Sequence, residues 1–122
     1  MKISDAEWRV MEELWKNSPL TSSEIIDRLK DSSEWSPKTI HTLINRLVKK
    51  EVLGVNKEGR FKQFHPLISA DECRRQETTS FLKKIYDGSR QMFLLNFIKN
   101  EKLTEKEIEE LKEILEQKKA RD

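Results

Sequence analysis

Trp35-Ser36-Pro37-Lys38-Thr39-Ile40-His41-Thr42-Leu43-Ile44-Asn45-Arg46-Leu47-Val48-Lys49-Lys50 is the stretch on which the fold turns. Ser36 suits an N-cap, where a hydroxyl accepts an orphan backbone N–H. Pro37 suits the first helical position, where a missing N–H costs nothing. A helix therefore starts at Ser36 and ends, less sharply, before Gly54. At about 100° per residue, Ile40, Leu43, Ile44, Leu47 and Val48 fall on one arc wide enough to dock on a core. The opposite arc carries Lys38, Thr42, Asn45, Arg46 and Lys49, with Thr39 and His41 on its edges. Solvated helix faces usually mix Glu with Lys, yet no acidic residue stands between Ser36 and Lys50. Amide, hydroxyl and guanidinium groups in that setting match base edges and phosphates. The competing reading is a merely basic, solvated face.

Working outward, five helix starts share one design: an apolar residue before the cap packs on another at the fourth helical position. The pairs are Ile3/Trp8, Leu20/Ile25, Trp35/Ile40, Ile68/Cys73 and Leu103/Ile108. Four starts also carry a capping box, at Ser4/Glu7, Thr21/Glu24, Ser69/Glu72 and Thr104/Glu107. Upstream, a first helix over residues 4–16 turns Trp8, Met11, Leu14 and Trp15 inward and Arg9, Glu12 and Glu13 toward water, and Asn17-Ser18-Pro19 ends it. A second, over residues 21–30, offers Ile25, Ile26 and Leu29, then breaks at Asp31-Ser32-Ser33-Glu34. Three short helices, the second and third joined by this tight polar connection, make a helix-turn-helix.

Downstream, residues 55–64 suggest a hairpin turning near Glu58-Gly59, a wing with Lys57, Arg60 and Lys62 at its tip and Pro66 closing it. Phe61 and Phe64, three apart, cannot both face inward on a regular strand, so one is exposed or the strand is bulged. A solvated turn with ordinary charges is the alternative. From Ser69 the chain is helical: residues 69–86, stopped by Asp87-Gly88; a segment capped by Ser89 and apolar from Met92 to Ile98 except at Asn96; and residues 104–118, with Ile108, Leu111, Ile114 and Leu115 on one side.

The 122 residues hold 35% hydrophobic and 38% charged side chains, which allows a modest core and leaves apolar surface for a partner. A net charge of +2 hides a pattern. Residues 1–35 carry five basic and eight acidic side chains, residues 36–65 seven and two, residues 69–122 twelve of each. A positive middle between an acidic start and a neutral end fits a localised phosphate-facing surface. A helix apolar nearly all round in residues 69–122 is expected to dimerise, and a two-fold dimer would set paired recognition helices one DNA turn apart; packing back onto the winged domain in a monomer is the alternative.

The N-terminus lacks the apolar core of a signal peptide, and no apolar run approaches about 18 residues, so a soluble, cytoplasmic chain with no direct membrane binding is expected. One cysteine, Cys73, excludes an intrachain disulfide or a multi-cysteine metal cluster. As a catalytic set, Cys73, His41 and His65 are weak: Cys73 sits where a helix staple wants a small apolar side chain, and neither histidine has a second ligand at metal spacing. Three scattered glycines form no phosphate loop. No enzyme, cofactor or metal is expected.

Ile3-Ser4-Asp5-Ala6-Glu7-Trp8, Trp35-Ser36-Pro37-Lys38-Thr39-Ile40, Leu95-Asn96-Phe97 and Glu107-Ile108-Glu109-Glu110-Leu111 together resemble the penicillinase-repressor family, the BlaI/MecI type of winged-helix regulators, over nearly the whole chain. The resemblance implies a homodimeric repressor on double-stranded operator DNA of a β-lactamase or penicillin-binding-protein gene. It implies a membrane sensor metalloprotease as partner, and inactivation by cleavage within the dimerisation arm, which maps onto Asn96-Phe97. A related copper-sensing branch uses a C-terminal cysteine cluster, which Gln117-Lys118-Lys119-Ala120-Arg121-Asp122 lacks.

The expectation is thus a mainly α chain: a three-helix winged helix-turn-helix with a small β-hairpin wing over residues 1–68, then an all-α dimerisation arm over residues 69–122. DNA contacts are placed at Lys38, Thr39, His41, Thr42, Asn45, Arg46, Lys49, Lys50, Lys57, Arg60 and Lys62. The dimer interface is placed at Phe81, Ile85, Met92, Phe93, Leu95, Phe97, Ile98, Ile108, Leu111 and Leu115. The alternatives are a copper-responsive or other repressor of the same family, or a winged protein-interaction adaptor that binds no DNA.

Overall fold

The structure is a computed structural model and describes residues 2–121. The order is α1 (Asp5–Lys16), β1 (Leu20–Thr21), α2 (Ser22–Leu29), α3 (Pro37–Lys49), β2 (Leu53–Asn56), β3 (Gln63–Pro66), α4 (Ala70–Tyr86), α5 (Arg90–Asn100) and α6 (Glu105–Arg121). The helix starts follow from their caps. Ser4 and Thr21 form complete capping boxes with Glu7 and Glu24, Ser36 accepts from the Thr39 N–H, and Thr104 and Glu107 exchange the same pair of bonds. At Ser69 the hydroxyl accepts from the Glu72 N–H.

Tertiary contacts divide the chain into two compact units between Thr78 and Thr79, inside α4 rather than at its start. The first turns of α4 thus belong with the winged unit, where the sequence boundary at residue 68 had set them apart. A bond to Glu77 and the burial of Cys73 explain why, and a further bond fixes the chain just before α4. Glu77 Oε1 accepts from the Ile3 N–H at 3.2 Å, and the Trp15 indole donates to the Ile68 carbonyl at 3.0 Å. Cys73, at its staple position, is fully buried in the same core, and burial pushes its thiol pKa up.

In the first unit, α1, α2 and α3 pack around Val10, Met11, Leu14, Ile25, Leu29, Ile40, Ile44 and Leu47, all at most 1% exposed. Side chains of this size stabilise by about 1.5–3 kcal/mol each when taken fully from water. The sheet has strand order β1-β3-β2, all antiparallel, with Leu20 opposite Phe64 and Val55 opposite Phe64 on the other side. The hairpin is longer than its sequence suggests: β2 begins at Leu53, and residues 57–62 form the loop, opened by an Asx turn in which Asn56 Oδ1 accepts from the Glu58 N–H. Gly54 is a close approach. A Cβ there would stand 2.5 Å from His65 Nε2 and 2.7 Å from Cε1.

Helix α3 ends in a Schellman motif: Val52 N–H donates to Leu47 O and Glu51 N–H to Val48 O, with Glu51 left-handed at φ 63°. Val52 is then fully buried, which fixes the exit of the chain from the helix.

The second unit contains the end of α4 with α5 and α6. Asp87 and Gly88, at φ 51° and 82°, end α4 as expected. Phe93 lies half-buried against Phe81, Tyr86 and Phe97, with ring centroids 5.9, 5.4 and 5.7 Å away. Leu82 is buried too, but α5 and α6 bury no residue. No described helix is long and apolar enough to cross a membrane.

Candidate nucleic-acid interface

Helix α3 carries the chemistry. Its inner residues Ile40, Leu43, Ile44 and Leu47 are buried, which fixes its rotation, so Lys38, Thr39, His41, Thr42, Asn45, Arg46 and Lys49 are all exposed. The first turn has no acidic residue. Two hydroxyls are partly committed: Thr42 Oγ1 donates to the Lys38 carbonyl at 3.0 Å, and Thr39 Oγ1 stands 3.1 Å from Ser36 Oγ. The loop leading into α3 is pinned from α1, where the Arg9 guanidinium bonds to the Ser32 carbonyl and stacks over the Trp35 ring, 4.8 Å from its centroid. Arg9 had been expected to face water.

The wing stands beside this helix because β1 pairs with β3. That pairing draws the start of α2 against the return strand, and a groove of about 350 Å³ opens between the three elements. Its lining includes Thr21, Ser22 and Ser23 from the start of α2, His41 and Asn45 from α3, and Phe61 and Lys62 from the wing. Nearby, the Thr21 amide and hydroxyl hold the Glu24 carboxyl below its ordinary pKa; Glu24 is spent on the cap. Lys57 and Arg60 are exposed in the wing loop and do not line the groove.

Lys50, expected among the DNA contacts, is engaged elsewhere. Its ammonium lies 2.7 Å from Glu7 Oε1 and donates to the Lys2 carbonyl at 2.6 Å, so it ties the end of α3 to the start of α1 instead of joining the outward cations. The reason is geometric: Lys50 is the C-cap residue, where the helix is already turning toward the core.

The sequence pointed to His41, Asn45 and Lys62, which share the groove, but missed Thr21, Ser22, Ser23 and Phe61. Of the hydroxyl residues, Thr21 was legible only as a cap and Ser22 and Ser23 carried no signal, and their place beside the wing depends on the long-range β1–β3 register. Phe61 had a signal, the three-residue spacing to Phe64: Phe64 is 7% exposed and Phe61, in the loop, 65%.

In the second unit, most of the residues assigned to a dimer interface are exposed, among them Phe81, Ile85, Met92, Leu95, Phe97, Ile98, Ile108, Leu111 and Leu115, together with Leu94 and Ile114. Phe93 differs, being half-buried within its own chain. Asn96 and Phe97 lie on the exposed surface of α5.

Residues 3–117 match the sequence model of a family described as penicillinase repressor. The chain is 42% identical over 120 residues to a penicillinase repressor of Bacillus licheniformis, covering 98% of this chain and 94% of that one. It is 37% identical over 117 residues to the methicillin resistance regulatory protein MecI of Staphylococcus aureus, covering 96% and 95%. Among solved structures, the DNA-binding domain of the repressor BlaI is 45% identical, with a TM-score of 0.54, covering 58% of this chain and 87% of that one. The Bacillus licheniformis BlaI monomeric form in complex with the blaP half-operator is 44% identical, with a TM-score of 0.53, covering 59% and 88%.

Proposed function

The chain belongs to the penicillinase repressor family, and from that premise we propose that two copies of it sit on the two halves of an operator and are released by proteolysis. It is a DNA-binding repressor of the kind that controls β-lactamase and methicillin-resistance genes, not an enzyme. The observation that carries the reading is the outward face of α3: seven exposed side chains, none acidic, beside a basic wing. Arg46, Lys38 and Lys49 suit phosphates or guanine edges, and Asn45 and Thr42 suit base edges.

Dimerisation is supported by the second unit, whose exposed Leu, Ile and Phe side chains exceed what a monomer usually leaves in water. Two linked half-sites bind with an avidity that neither has alone. Cleavage of the Asn96–Phe97 bond would detach residues 97–122, and with them α6, from the unit that holds α3. The dimer would weaken and repression would end. A membrane sensor metalloprotease is the proposed cutting partner, and a β-lactamase or penicillin-binding-protein operon the proposed target.

The test is a fluorescence-anisotropy titration against the promoter DNA upstream of its own gene and a scrambled duplex, at two salt concentrations. We expect preference for the promoter, with affinity falling about tenfold to a thousandfold between low and moderate salt. Arg46→Ala should weaken it, and Asn45→Ala should cost about 1–3 kcal/mol of discrimination. Equal binding to both duplexes would refute the repressor reading and favour a winged adaptor.

A further inference from the structure

Phe61 is an apolar side chain in a polar place. At 65% exposed it is the most open of the large hydrophobic residues described, and it neither joins the core nor packs against it. It stands in the wing loop between Arg60, whose guanidinium lies 5.4 Å from its ring centroid, and Lys62. It also lines the groove that His41 and Asn45 of α3 enter from the other side. A loop selected for solubility alone would carry a polar residue there, since turns are ordinarily built from Gly, Asn, Asp and Ser.

Building on the repressor reading above, we infer that Phe61 is a DNA-contacting residue: its ring packs on the apolar surface of the strand that lies between α3 and the wing. Two DNA surfaces offer that chemistry, the thymine C5-methyl group in the major groove and the deoxyribose C–H face. The occupant is DNA rather than another protein because the flanks are cationic: Arg60 and Lys62 bracket the ring, Lys57 lies in the same loop, and α3 opposite is free of acids. The cations hold the phosphates, and the ring fills the apolar space between them. A contact of this kind differs from theirs in one measurable respect: it neutralises no phosphate, so it releases no counterion.

The experiment measures affinity of the full-length chain for its promoter duplex across a salt series, for the wild type and for Phe61→Ala, Phe61→Leu, Arg60→Ala and Arg46→Ala, with circular dichroism and melting to confirm each fold. Phe61→Ala should lose about tenfold in promoter affinity with its salt slope unchanged, and Phe61→Leu should recover most of that loss. Arg60→Ala should instead lower the slope by about one phosphate's worth. A duplex with deoxyuridine replacing thymine identifies the surface: wild-type loss that is absent in Phe61→Ala assigns the methyl group, and unchanged wild-type binding assigns the deoxyribose. If Phe61→Ala binds like the wild type while Arg46→Ala does not, the Phe61 contact is refuted and the repressor reading stands. If the wild type fails to prefer the promoter over a scrambled duplex, both are refuted.

Discussion

Residues up to Thr78 and residues from Thr79 onward place their apolar side chains in opposite ways. In the first unit Val10, Met11, Leu14, Ile25, Ile40 and Leu47 are sealed from water, and helix, loop and sheet are tied by caps, a Schellman motif and an indole bond. In the second, α5 and α6 bury nothing, and an aromatic cluster centred on Phe93 is the main internal packing. The low overall hydrophobic share is therefore not spread evenly. One unit holds a complete core, and the other leaves apolar side chains exposed, the division that the proposed dimer would use, with one part of the chain positioning chemistry and another recruiting a copy.

The sharpest way to break that contrast is to separate the units. A fragment of residues 1–78 should stay folded, melt cooperatively and remain monomeric in sedimentation. It should bind a single half-site as the whole chain does, yet lose about 10²- to 10⁴-fold on a promoter with two half-sites, because the linkage between them is gone. A fragment that held the full promoter as tightly as the intact chain would show that the second unit contributes no avidity.

Paired leucine truncations come next in size. Leu47, fully buried in the first unit, should cost about 2–5 kcal/mol of unfolding free energy as Leu47→Ala, whatever the protein concentration. Leu115, 60% exposed on α6, should change monomer stability by no more than about 0.5 kcal/mol but weaken association. Urea denaturation at two protein concentrations tells them apart, since stability gained by assembly depends on concentration. A concentration-independent loss for Leu115→Ala equal to that of Leu47→Ala would mean that both units have self-sufficient cores.

The same contrast explains what the sequence could tell. Local chemistry was legible: the cap at Ser36, the boxes at Ser4, Thr21 and Thr104, and the Asp87-Gly88 stop all act within a few residues and lie where their pattern put them. Long-range pairing was not. Strand β1 is two residues long, and nothing around Leu20 and Thr21 announces a partner at Phe64 and Gln63. That pairing in turn brings Ser22 and Ser23 to the groove. The end of α3 was equally hidden, because Glu51 takes a left-handed conformation usually left to Gly or Asn. The boundary inside α4 depends on Glu77 reaching back to Ile3, a contact across 74 residues. Lys50 looked like one more cation on a basic helix until its partner at Glu7 was in view.

That partner sets the smallest and most specific prediction. Glu7 is 2% exposed, one oxygen held by Lys50 and by the Ser4 N–H, while Oε2 has no hydrogen-bond partner among the described residues. Burial raises its carboxyl pKa, but the Lys50 and Ser4 hydrogen bonds and the Lys50 charge outweigh it, leaving the value below the ordinary 4.5. A carboxyl depressed on folding contributes stability that is full above the unfolded value and is lost as pH falls through the folded one. Lys50→Met removes the compensating charge and leaves burial in control. The variant should cost about 1–3 kcal/mol at neutral pH, less than breaking a fully sealed pair because the Lys50 side chain is a third exposed. The gap from wild type should begin to narrow above pH 4.5, where the stranded carboxylate of the variant, raised by burial, takes up a proton, and should go on narrowing until the depressed wild-type carboxyl is protonated as well; a gap that stays constant down to pH 3 would show that the pair is not its source. Promoter binding adds an independent check. With its ammonium tied to Glu7, Lys50 meets no phosphate, so Lys50→Met should leave the salt slope as it is. A slope lower by about one would return Lys50 to the outward cations of α3.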